Sequence, residues 1–117
     1  LPILGVRGVR AALARRRSPV VAVSPVAGGR AVRGPLGGML RARGLPVSPL
    51  GIAALYDGLL DALVIDFQDR RLRPRLEARG LRVGVTDIRM STRQRSRAVA
   101  RLVLELAEEV RREARWR

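Results

Sequence analysis

The sequence predicts an α/β fold, a parallel sheet covered by helices, on three observations. Two short apolar runs, Val20 to Val23 and Leu63 to Ile65, and an alternating stretch, Leu81 to Thr86, read as strands. Helix signals fall between and after them, so strands and helices alternate. The first run leaves directly into a glycine-rich turn that opens on a helix, the arrangement found where ligands gather at the edge of open α/β sheets. A chain of 117 residues predicts one domain.

Leu1 to Gly5 is apolar and ends in glycine, and Gly8 to Arg17 reads as a short helix with Val9, Leu13 and its alanines inward. Ser18-Pro19 breaks it, because a proline disfavours helical backbone at the residue before it. Val20 to Val23 is the first buried strand. Ser24 to Gly34 is a loop holding Pro25, Gly28, Gly29 and Gly34. Pro35 suits the first position of the next helix, where its missing N–H costs nothing. That helix runs through Met39 and Leu40 to Gly44, a C-terminal glycine. Gly37 and Gly38 inside it each weaken it by about 1 kcal/mol.

Ser48-Pro49 is a second helix start, a serine cap followed by a first-turn proline. This helix carries Leu50, Ile52, Ala53, Leu55 and Tyr56 until Gly58 interrupts it. Leu63 to Ile65, before Asp66, is the second strand. Asp69 is expected to cap a helix reaching Gly80, delayed or kinked at Pro74. Leu81 to Thr86 alternates about Val83 and Val85 and forms the third strand. Ser91, with Gln94 three residues on, opens the last helix as a capping box. Val99, Leu102, Val103, Leu106 and Val110 line one face of it, while Glu108 and Arg112 pair across one turn of the other. Three strands are few for such a sheet, and its edge needs a cover.

Composition limits the chemistry. The chain has no cysteine and no histidine, which removes disulfides, thiol chemistry, the commonest general base and the usual zinc ligands. A metal here would be a hard cation held by oxygen. The cysteine-free composition favours a reducing compartment, and no apolar run approaches the roughly 18 residues of a membrane span, so a cytoplasmic chain without membrane partners is expected. The formal charge of +14 raises the question of nucleic acid. Every one of the 24 basic residues is arginine, scattered from Arg7 to Arg117, and only Phe67, Tyr56 and Trp116 are aromatic. Scattered arginines with so few stacking rings read as a solvated surface rather than a nucleic-acid site.

The strongest local feature is the stretch from Ser24 to Pro35. Gly28 and Gly29 lack side chains, so their N–H groups can turn toward one anion. The helix beginning near Gly34 adds its positive dipole end, and Arg30 and Arg33 can grip phosphate oxygens. The pattern is neither a Walker A nor a GxGxxG sequence, and an ordinary glycine-rich connection with surface arginines competes with the phosphate reading. Asp66 and Asp87 follow strands and fall on the same edge if the strands are parallel. They could hold magnesium opposite the phosphates, or serve as turn formers.

Val20 to Gly29 followed by Arg33-Gly34-Pro35 resembles the central motif of the 2-phospho-L-lactate transferases, including the phosphoenolpyruvate transferases of deazaflavin coenzyme (F-420) biosynthesis. The likeness continues through Ser48 to Ala53, Leu55-Tyr56, Gly58 to Asp66, Val83 to Asp87 and Met90, and takes in Leu1 to Arg10 before the motif. Departures are local: Val26-Ala27 in place of Ile-Val, Arg33 in place of lysine, Gly37-Gly38 in place of better helix formers, and Ile88-Arg89 in place of a smaller, less charged pair.

The resemblance implies that residues 1–117 are a single partial domain, the C-terminal portion of a Rossmann-like parallel sheet flanked by helices, with the N-terminal nucleotide-binding half absent. The chain's start at Leu1 is read the same way. The implied reaction moves a phosphoenolpyruvyl or phospholactyl group from a guanosine diphosphate derivative to the ribityl hydroxyl of a deazaflavin, releases GMP and is assisted by magnesium (Mg2+). The implied substrate-binding residues are Ser24, Pro25, Gly28, Gly29, Arg33 and Gly34, with Asp66 and Asp87 as metal candidates. Two other classes stay open: an inactive remnant or a subunit completed by a separate N-terminal chain, and a basic nucleic-acid-binding module. A homodimer is a further partner this reading allows.

Overall fold

The computed structural model describes residues 18–31, 36–89 and 92–115. The helix expected over Gly8 to Arg17, and Arg33, Gly34, Pro35 and Ser91, lie outside the described residues. Three strands, β1 (Val21–Val23), β4 (Ala62–Asp66) and β5 (Arg82–Thr86), form one sheet in the order β1-β4-β5. Both pairings are parallel, with Val23 opposite Val64 and Asp66 opposite Thr86. The α/β class read from the sequence is therefore the fold observed.

The sheet lies between two helical layers. One face packs on α1 (Leu36–Ala42), α2 (Pro49–Leu55) and α3 (Arg73–Glu77), around a core that includes Leu40, Ile52, Leu63, Ile65 and Leu76. The other face packs on α4 (Arg93–Arg115), where Leu102, Val103, Leu106 and Val110 meet Ala62 and Val64. Successive residues of a strand point to opposite faces, so Leu63 and Ile65 serve one layer and Ala62 and Val64 the other. All five residues of β4 are consequently buried.

Local chemistry sets the element ends. Helix α1 closes at Gly44, whose φ of +70° is open only to residues tolerant of left-handed backbone. The Gly44 N–H donates to the Arg41 carbonyl at 3.0 Å and Leu45 N–H to the Leu40 carbonyl at 2.9 Å, the paired bonds of a Schellman ending. Ser48 caps α2 through its Oγ, which accepts the Leu50 N–H at 3.2 Å, and Pro49 follows in the first turn. Gly51 permits α2 to pass against the Pro46 carbonyl, leaving no room for a side chain.

Three expectations change. The stretch taken as an open loop contains a small hairpin: β2 (Val26–Ala27) pairs antiparallel with β3 (Arg30–Ala31) across Gly28-Gly29. Asp66, not Asp69, caps the segment after the second strand. Its Oδ2 accepts the Gln68 N–H at 3.0 Å and starts a 3-10 helix, Phe67–Leu72, which gives way to α3 at Arg73-Pro74. Asp66 wins because it sits where the strand's extended backbone ends, the conformation a cap needs. At the last helix Thr92 is the observed cap, its Oγ1 accepting the Arg95 N–H at 3.1 Å. Among the described residues, no helix is long and apolar enough to cross a membrane.

Candidate functional site

Because the strands are parallel, their carboxyl ends fall together, and the polar residues that follow each strand converge on one edge. The hairpin follows β1, Asp66 and the 3-10 helix follow β4, and Asp87 follows β5.

Ser24 leaves β1 with its N–H still in the ladder, donating to the Val64 carbonyl at 2.8 Å. Its side chain is 1% exposed, and its Oγ both accepts the Val26 N–H at 3.2 Å and donates to the Val26 carbonyl at 3.0 Å. The hydroxyl thus folds the chain over Pro25, with its one proton committed to the Val26 carbonyl. Val26 is fully buried against the α1–α3 layer, while Ala27 packs on the α4 layer. The hairpin base is thereby seated over both faces of the sheet.

At its tip, Gly28 and Gly29 have φ of +59° and +84°. Two consecutive left-handed residues are what a tight two-residue hairpin requires. The Gly28 N–H donates to Asp69 Oδ2 at 3.2 Å, and the Gln68 side chain lies where a Cβ on Gly28 would stand. This N–H, assigned from sequence to a phosphate, is thus committed within the protein. Arg30, on β3, is exposed and makes no ion pair with a described residue. Arg33 and Gly34 lie outside the described residues.

The carboxylates divide by environment. Asp66 is 2% exposed, and besides capping the 3-10 helix its Oδ1 accepts the Ile88 N–H at 3.1 Å. It therefore fixes the loop after β5 as well as the segment after β4. Asp69 is 9% exposed. Burial pushes its carboxyl above the usual range; the Gly28 hydrogen bond pulls the other way, and the nearby Asp66 charge adds to the rise. Asp87 is the opposite case. Hydrogen bonds from the Arg89 backbone and guanidinium hold it low, and Arg89 and Arg95 both pair with it at 3.3 Å.

Magnesium held by Asp66 and Asp87 can be tested against this geometry. Each Asp66 oxygen already serves a backbone amide, and a cation at Asp87 must displace two guanidinium groups. Among the described residues, no group of three or more acidic side chains is arranged to hold a metal. The donor set therefore does not fit a resident magnesium. It leaves room only for an ion that arrives with most of its oxygens supplied by phosphate and water, the usual habit of magnesium.

Sequence reasoning missed the Gly28–Asp69 contact and the hairpin. The hairpin had a signal, two glycines between short apolar or extended residues. The contact had none, since it joins residues 41 positions apart.

No protein-family model matches the chain. Curated proteins do. A 2-phospho-L-lactate transferase of Methanosarcina acetivorans is 38% identical over 109 residues, 93% of this chain and 35% of the relative. A phosphoenolpyruvate transferase of Streptomyces griseus is 39% identical over 110 residues, 93% of this chain and 35% of the relative. A 2-phospho-L-lactate transferase of Methanocaldococcus jannaschii is 41% identical over 71 residues, 61% of this chain. The chain spans about a third of the length of the first two.

Proposed function

The chain is related, over nearly its whole length, to the 2-phospho-L-lactate transferases and phosphoenolpyruvate transferases, and from that kinship we propose that it is the C-terminal part of such an enzyme. The reading is a cytoplasmic transferase of F-420 biosynthesis. It moves a phosphoenolpyruvyl or phospholactyl group from a guanosine diphosphate derivative to a deazaflavin hydroxyl and releases GMP.

The observation that carries this reading is the convergence of the hairpin, the 3-10 helix and Asp87 on one edge of a parallel sheet. Transfer of a phosphorus-containing group depends on positioning and charge neutralisation more than on a covalent nucleophile. A chain without histidine or cysteine, whose serine at the site is internally hydrogen-bonded, suits that chemistry. In this proposal Ser24, Pro25 and Gly28 shape the turn. Gly29 and Gly34 bring backbone close to the diphosphate, and Arg33 neutralises it. Magnesium enters this proposal only as an ion carried by the diphosphate, since both Asp66 oxygens hold backbone amides and Asp87 holds two guanidinium groups. The nucleotide-binding half and the deazaflavin contacts belong to the remaining two-thirds of such an enzyme.

The test is a chimera in which this chain replaces the matching third of the Streptomyces griseus phosphoenolpyruvate transferase. Release of GMP that depends on a deazaflavin acceptor is the expected result. A folded chimera that binds GDP and magnesium but transfers nothing would support the inactive-remnant reading instead.

A further inference from the structure

The sequence predicts Asp69 as a helix cap, and the proposed reaction gives it no role. It caps nothing. It sits within the 3-10 helix after β4, nine-tenths buried, and its one hydrogen bond to a described residue reaches across to the Gly28 N–H. We infer that Asp69 is a positioning residue, which holds the Gly28-Gly29 turn at the carboxyl edge of the sheet for a diphosphate-bearing ligand.

Four observations converge on this. A two-residue hairpin is marginal by itself, and β2 and β3 contribute only two residues each. The base of the hairpin is fixed by Ser24 and Val26, but its tip is exposed at Gly28 and Gly29. The Asp69 oxygen is the hydrogen-bond acceptor that ties this tip to another element. Gln68, next to Asp69, fills the space beside Gly28, so the tip is confined by contact as well. Burying a carboxyl that has a single amide partner among the described residues carries a cost, so this contact is not neutral to the fold.

The role needs an acceptor, not a charge, so asparagine can replace aspartate. This inference rests on the proposed transferase reading for its ligand, and two arms separate the two ideas. In this chain, amide exchange at Gly28 reads the turn directly. In the chimera, KM for the guanosine diphosphate donor and kcat read its use. Asp69→Ala is expected to speed Gly28 exchange and raise donor KM by about tenfold, with kcat held within about twofold, and Asp69→Asn to restore both. Gly28 exchange unchanged in Asp69→Ala overturns the inference, as does an asparagine variant as impaired as alanine, or a loss falling in kcat. If the unsubstituted chimera transfers nothing, the transferase reading fails, and the exchange arm still decides whether Asp69 holds the turn. Cooperative thermal unfolding retained by both variants guards against simple loss of the fold.

Discussion

Single residues here do work that their type alone does not announce. Asp69 pays a desolvation cost in the folded chain, so its carboxyl is raised and the folded state holds the proton more tightly than the unfolded one. The contribution of this group is then largest below the ordinary carboxylate pKa and is lost as pH rises through the raised value. We predict that Asp69→Asn removes that loss. The stability difference between variant and parent, measured by urea unfolding, should shift in the variant's favour between about pH 4 and pH 7. A difference that stays flat or reverses would mean that the carboxylate is not buried as described. Glycines give a second contrast. At Gly51 a Cβ meets the Pro46 carbonyl, a backbone atom that cannot swing away, so Gly51→Ala should cost about 1–3 kcal/mol. At Gly38, in α1, there is open space, so Gly38→Ala should stabilise by up to about 1 kcal/mol. Urea midpoints of the two variants should move in opposite directions.

At the scale of elements, what was legible in the sequence was what is local. Ser48-Pro49, Gly44 and the apolar face of α4 each act within one or two turns of their own position, and each lies where its pattern put it. The failures came where a distant partner decides. Asp69 and Asp66 are both acidic residues near a helix start. Only the end of β4 makes Asp66 the cap, and only the hairpin folded back from β1 gives Asp69 its partner. Of the site, the edge and Asp66, Asp69 and Asp87 could be read, but not which amide each carboxylate would hold. The docking of α4 also involves a close approach that no periodicity shows: a Cβ on Gly84 of β5 would stand 2.8 Å from Leu102 Cδ2. Gly84→Ala should therefore cost about 1–3 kcal/mol and loosen α4. By contrast Arg82, which pairs with Glu109 at 3.2 Å and Glu113 at 2.7 Å, is partly exposed. Truncating Glu113 should change stability by less than about 1 kcal/mol at moderate salt. Thermal unfolding of the two variants would expose the difference.

For the whole molecule, charge dominates. With a formal charge of +14, arginines outnumber the acids that can pair with them. Several do pair, among them Arg73 with Glu77, Arg79 with Asp57 and Arg112 with Glu108. The remainder repel. Raising salt from about 0.02 M to about 0.3 M should therefore raise the Tm, because screening relieves net repulsion more than it weakens exposed pairs. A Tm that falls with salt would show that the ion pairs outweigh the repulsion.

The placement of Asp66 has one further consequence. A single carboxylate, at the end of the central strand, fastens both the segment that leaves that strand and the loop that leaves its neighbour. Those two stretches therefore share an anchor. Whatever perturbs it, a substitution or a cation drawn to its charge, must be felt on both sides at once, so the rim they form would shift in concert rather than piece by piece.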